Sequence, residues 1–345
     1  MAPADPNPFI QQRLLASGDA FLDRCDRCVI LLTGSDRLTW LDGLVSQHVR
    51  DLEMDQSTET LILTPQGRVE YQAAVVDDGT TTHMIVNRDS ADVLAEWFDR
   101  MIFSADVEVI LASELHVLGA FAGRAADVFA SVTTSTPVVV WRDPWGTMTP
   151  GGVQYALGEH PGNDWTYGEA LVSSDDLALV HGALADAGVA EVNRDAWDAL
   201  RVAAWRPAIE AEGDDTLIPH EVDWMRSAVH LNKGCYRGQE TVAKVHNLGA
   251  PPRRLVLLHL DGMSDSLPNR GAEVSLDEKV VGHVTSPVRH GQEGLVALAL
   301  VKRSLPVTAT LDVVTGEGTV RATQVVVVPP TAGHAVTVER LPRLR

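Results

Sequence analysis

A chain of 345 residues has room for about two domains, which excludes a miniprotein held together by disulfides. Hydrophobic residues at 45% and charged residues at 22% describe a folded globular protein and exclude disordered and fibrous classes. Lys plus Arg number 28 against 47 Asp plus Glu, a net charge of −19, so the overall field repels nucleic-acid phosphate and anionic lipid.

Residues 1–27 are rich in proline and polar groups and read as a lead-in with one short helix from Pro8 to Ala16, order beginning near Cys28. The N-terminus has no basic segment followed by an apolar one, which predicts a cytoplasmic protein. Cys28 to Thr33 reads as a strand, and Ser35 as the cap of a helix whose Leu38, Leu41, Leu44 and Val45 share a face. A hairpin is expected from Leu61–Leu63 and Val69–Val76 around Pro65-Gln66-Gly67. A strand at His83–Val86 follows, then a helix capped by Ser90 and two strands, Val107–Leu111 and His116–Ala120.

A second cycle places helices at Gly123–Val132 and Asp175–Ala187, with strands at Val138–Trp141, Val153–Leu157 and Ala170–Val172. Asn193 caps the next helix. From Pro207 to Gly249 the periodicity dissolves into turns, and the two prolines of Gly249-Ala-Pro-Pro-Arg-Arg254 mark a domain break. Six β-type segments follow between Leu255 and Val328, and no Phe, Tyr or Trp occurs after Tyr236, so this small β-barrel or sandwich offers no aromatic platform for bases. The expected organisation is α+β: a lead-in at 1–27, a body of two related halves at 28–248, an all-β barrel at 249–330 and a tail at 331–345. No apolar run approaches the ~18 residues of a membrane span.

The densest chemistry lies in Lys233-Gly-Cys-Tyr-Arg-Gly-Gln-Glu240, where one thiol stands between two cations and two glycines. Lys233 and Arg237 there would favour the thiolate of Cys235, the alternative being an inert cysteine in a glycine-rich turn. Between Arg226 and Arg254 there are six basic side chains and one acid, a local +5 that suits an anionic small molecule. Upstream, Ile218-Pro-His-Glu-Val222 supplies Glu221, a carboxylate of the kind that matches paired N–H donors on a heterocycle such as a pterin, while the cations match the carboxylates of a glutamyl tail. A zinc-protease reading fails because Trp224 stands where the second histidine belongs. Cys25-Asp-Arg-Cys28 lacks a second pair, so no metal site is assigned, and an odd total of three cysteines implies free thiols.

Lys233–Glu240 resembles the K-G-C-Y-x-G-Q-E signature of the folate-binding YgfZ family, relatives of the glycine-cleavage T protein, an aminomethyltransferase. Gly34-Ser-Asp-Arg37, Pro65-Gln-Gly-Arg-Val69, Leu200-Arg201, Arg253-Arg-Leu255 and Gly282-His-Val-Thr-Ser286 extend the resemblance over about residues 28–330. It implies a GcvT-like ring of α+β modules with a C-terminal barrel and a central tetrahydrofolate channel. It also implies Glu221 as pterin anchor, Cys235 as functional thiol, Arg253 or Arg254 at the folate tail, and Lys233, Tyr236, Arg237 and Gln239 as further ligand contacts. The implied cofactor is tetrahydrofolate or a derivative, and the implied function is accessory to iron–sulfur cluster assembly or repair, with iron–sulfur proteins or assembly factors as clients. Aminomethyltransferases carry an Asp shortly after the hairpin glycine, and the positions near Tyr71 and Gln72 offer none. A one-carbon transferase acting on a small amine and a non-catalytic interaction module are the competing readings.

Overall fold

The computed structural model describes residues 7–261 and 266–335; the tail from residue 336 onward lies outside them. Alternation along the strands explains the architecture. One antiparallel sheet runs Ser57–Leu63, Val69–Asp77, Thr82–Asn87, Arg27–Thr33, Glu108–Ala112 in spatial order. Ile30, Leu32, Ile62, Val75 and Met84 face Leu41, Leu94 and Phe98 from the helices Arg37–Asp42 and Arg88–Arg100, while Val29, Leu61, Val76 and Ile85 point the other way into a central core. Both faces are therefore covered.

A second five-stranded sheet runs Ala190–Glu191, Ala20–Asp23, Leu115–Phe121, Tyr167–Ser173, Val139–Arg142. Phe21, Leu118 and Val172 pack under the helices Arg124–Ser131 and Leu177–Asp186, and Leu22, Val117 and Leu171 join the central core. The helix Pro8–Ala16 forms as expected. Order beginning near Cys28 is corrected, because Ala20–Asp23 lies inside this sheet and buries Ala20, Phe21 and Leu22 completely.

Six strands from Arg253–Leu260 to Gly318–Val326 close into a barrel in the order Arg253–Leu260, Gly294–Lys302, Lys279–His290, Glu273–Leu276, Leu311–Thr315, Gly318–Val326. Val256 and Leu258 fill the barrel, and Leu255 and Leu257 on the opposite face complete the central core. That core, shared by two sheets and the barrel, holds Trp141, Trp145, Trp165, Trp197, Trp205 and Trp224. Among the described residues no helix is long and apolar enough to cross a membrane.

Three local expectations change. The cap of Arg37–Asp42 is Asp36, because Ser35 gives its N–H and hydroxyl to Asp106. Arg88–Arg100 starts three residues earlier than Ser90 implies, since the Asn87 side chain accepts from the Asp89 N–H. Val153–Leu157 is an extended loop, not a strand: the Tyr155 and Ala156 N–H groups, which a ladder would need, donate to the Asp223 carboxylate at 2.9 and 3.3 Å. Asp223 takes φ +58° to reach them, and burial pushes its pKa up to about 7.

Candidate functional site

Two anchors hold the Lys233–Glu240 turn. On one side the Lys233 ammonium donates to the carbonyls of Asp42 (2.6 Å), Val45 (2.8 Å) and Gln47 (2.7 Å) and lies 3.2 Å from the Asp42 carboxylate. An ammonium has three N–H bonds, so all are spent on carbonyls at and beyond the end of helix Arg37–Asp42. Burial lowers the Lys233 pKa, against the pull of Asp42.

On the other side Gly238, at φ +84°, opens the helix Gln239–Leu248. A Cβ on Gly238 would sit 2.5 Å from the Thr64 carbonyl oxygen, and one on Gly67 (φ +75°) 2.8 Å from the Thr241 Cβ. Only glycine fits at either position, and this is how the Pro65-Gln66-Gly67 turn locks into the signature. The helix itself has no sequence signal, since a left-handed glycine replaces the usual Ser, Thr, Asp or Asn cap.

Cys235 is exposed between the anchors. Tyr236 is buried, its ring 5.3 Å from the Lys233 Nζ, and the Gln239 amide reaches the Lys233 carbonyl at 3.4 Å. Arg237 donates to Glu70 at 3.0 Å and lies 5.5 Å over the Trp97 ring. The two cations expected to ionise Cys235 are thus committed elsewhere, Lys233 to carbonyls and Asp42, Arg237 to Glu70.

Glu221 sits in the 3-10 turn Pro219–Val222 and is fully buried. Its Oε1 accepts from the Arg253 backbone N–H and Nε, both at 3.0 Å, and its Oε2 from the Arg253 Nη2 at 2.8 Å. Arg253 also donates to Asp214 at 3.2 Å. Glu221 and Arg253 thus pair with each other and join the body to the first barrel strand. Arg254 shares the barrel-filling face of Val256. It is fully buried, donates to the Leu305 carbonyl (3.1 Å) and Gln324 (2.9 Å), and leaves its Nε and Nη1 without partners. Burial depresses its pKa.

Beside the locked glycines, a cleft of about 440 Å³ opens between the hairpin and residues 209–215, lined by Thr64, Arg68, Glu70, Tyr71, Ile209 and Asp214 among others. Glu70 pairs with Arg237 and Asp214 with Arg253, which offsets two acids of the lining, and Arg68 is the cation in the lining itself. The size suits a small organic ligand, and the lining pairs the half-buried Tyr71 ring, an aromatic wall for a flat heterocycle, with the cation Arg68. Tyr71 has its pKa raised by burial, with Glu70 adding and Arg237 opposing. Gln72 is buried and neutral, its amide donating to Glu59 at 2.9 Å and accepting from the Ile209 N–H at 3.2 Å, so no acid replaces the missing Asp at that position.

Behind Gln72 lies an ion cluster that the sequence did not reveal. Arg206 grips Glu59 with two N–H groups (3.1 and 2.7 Å) and Asp143 with Nε (3.0 Å); Ser227 also donates to Glu59. The one available signal was a glutamate at a core-facing strand position, Thr58-Glu59-Thr60. Cys25 is exposed and Cys28 buried. Among the described residues no group of three or more His, Cys, Asp or Glu is placed to hold a metal ion.

No family model matches the chain. It is 26% identical over 271 residues to a chloroplastic protein of Arabidopsis thaliana that carries the name of a transferase, covering 74% of this chain and 59% of that one. It is 28% identical over 260 residues to a tRNA-modifying protein YgfZ of Escherichia coli O157:H7, covering 73% and 74%. The match therefore spans less than two thirds of the plant relative. Among solved structures, the glycine cleavage system aminomethyltransferase T of Bartonella henselae superimposes with a TM-score of 0.73 at 16% identity, over 98% of this chain and 93% of that one. In sequence and in fold, the chain is YgfZ/GcvT-like. That structure shows the fold, and the two curated relatives show sequence similarity over about three quarters of this chain.

Proposed function

We propose that this YgfZ/GcvT-like chain binds a reduced folate in the cleft beside the signature and acts as a cytoplasmic accessory protein in iron–sulfur cluster assembly or repair, with Cys235 as its functional thiol. The observation that carries the reading is an exposed thiol on a turn fixed at both ends, with a cleft of ligand size, lined by Tyr71 and Arg68, opening at Thr64 against the Gly238 end of that turn. The folate ring lies against Tyr71, and its acidic tail draws on Arg68. Arg254, buried with its Nε and Nη1 unpartnered, is a further cation that a tail carboxylate would satisfy.

The tRNA-modifying role in the name of the bacterial relative reaches this chain, on this reading, through a client enzyme, since a net charge of −19 opposes a direct grip on RNA. Catalysis of one-carbon transfer is the weaker reading, because Gln72, an uncharged amide donating to Glu59, stands where an acid would be needed. In a cell lacking this chain, iron–sulfur enzyme activities are expected to fall, with wild type restoring them and Cys235→Ala failing to. Full restoration by Cys235→Ala would remove the thiol from the function.

A further inference from the structure

Lys233 lies two residues before Cys235, where a cation would ordinarily be read as an activator of the thiol. Its surroundings argue otherwise. The side chain is fully buried, and its three N–H bonds are used on three carbonyls. The acceptors form a seat organised without it: the Asp42 carboxylate also takes the Val49 N–H at 2.9 Å and the Arg50 N–H at 3.3 Å, and stands 3.2 Å from the His48 Nδ1. These bonds fold residues 43–50 so that the carbonyls of Asp42, Val45 and Gln47 converge on one point. Such a seat is made for a compact positive charge and not for a planar guanidinium.

We propose that Lys233 is a positioning residue, a tethered ammonium in a seat built by Asp42 and three carbonyls, which fixes the turn presenting Cys235 and touches neither the ligand nor the sulfur. The proposal rests on the reading of Cys235 as the functional thiol. Its test involves no folate, so failure of the folate reading and failure of this one are separable.

The test is the pH profile of iodoacetamide alkylation of Cys235 in a Cys25→Ser background. Lys233→Ala removes the tether and leaves a seat the size of propylammonium. The expected result is a rise of about tenfold in the plateau rate of the thiolate, as the freed turn opens, with the titration midpoint moved by less than about 0.3 unit. Millimolar propylammonium should return the rate toward wild type and propanol should not, because the seat demands charge. Lys233→Arg should behave like Lys233→Ala. Asp42→Asn, which keeps an acceptor for the Val49 N–H and loses the charge, should raise the plateau rate in the same direction; it decides the matter if Lys233→Ala does not fold.

A midpoint raised by about one unit on loss of Lys233 would show an activating cation beside the sulfur and overturn the proposal. So would a plateau rate unchanged in both variants, or equal rescue by propylammonium and propanol.

Discussion

Arg206→Met is expected to cost on the order of 3–5 kcal/mol of stability, a large fraction of what a folded domain possesses. The guanidinium spans Glu59 and Asp143 with three N–H bonds, and both acids are buried in the central core. Burial already raises the Asp143 pKa while Arg206 opposes the rise, so without Arg206 two neighbouring carboxylates remain in a medium that cannot solvate them. Their cheapest escape is to take up protons. The deficit of the variant relative to wild type, read from urea midpoints, should therefore shrink as pH falls from 7 toward 5, because the native variant then binds protons that its unfolded chain does not. Arg206→Lys should recover little, since one ammonium cannot replace a fork shared by two carboxylates. A loss below about 1 kcal/mol, independent of pH, would contradict this account of the cluster.

The second large effect concerns the joint between body and barrel. Glu221→Ala leaves Arg253 half-buried with Asp214 as its remaining carboxylate partner, and it strips the acceptor from the Arg253 backbone N–H that begins the barrel. A loss of about 3 kcal/mol is expected. Arg253→Met should cost a comparable amount by stranding Glu221. The double substitution Glu221→Ala with Arg253→Met should cost clearly less than the sum of the singles, which a double-mutant cycle measures. Additivity would mean that the two side chains do not act as a pair.

Much of the fold was legible in the residues, and the failures share a cause. Strands with both faces buried still announced themselves by β-branched runs, the hairpin by Pro65-Gln66-Gly67, and the barrel by six β-type segments separated by turns. Caps were misplaced where two good capping residues compete, as Asn87 and Ser90 do. Val153–Leu157 has strand composition and no ladder, because Asp223, some 70 residues away, takes its donors. The signature marked the turn at Lys233–Glu240, and the partners of the charges in it could not be read for the same reason. Spacing shows that Lys233 is near Cys235 in sequence, but only the fold shows that its ammonium turns inward to Asp42, and that Glu221 and Arg253 meet across the joint. Long-range pairing of charges is invisible to local pattern.

That result also dictates how folate binding must be tested, since substituting Glu221 would disturb the barrel joint whether or not a ligand touches it. The direct measurement is an anaerobic calorimetric titration of tetrahydrofolate into the wild-type protein and into Tyr71→Ala, a change that lines the cleft and leaves both ion clusters intact. Saturable binding to wild type, weakened by about tenfold or more in a Tyr71→Ala protein that remains folded, is the predicted result. No saturable heat with folded wild type, or undiminished binding to Tyr71→Ala, would contradict the placement of a folate beside Cys235.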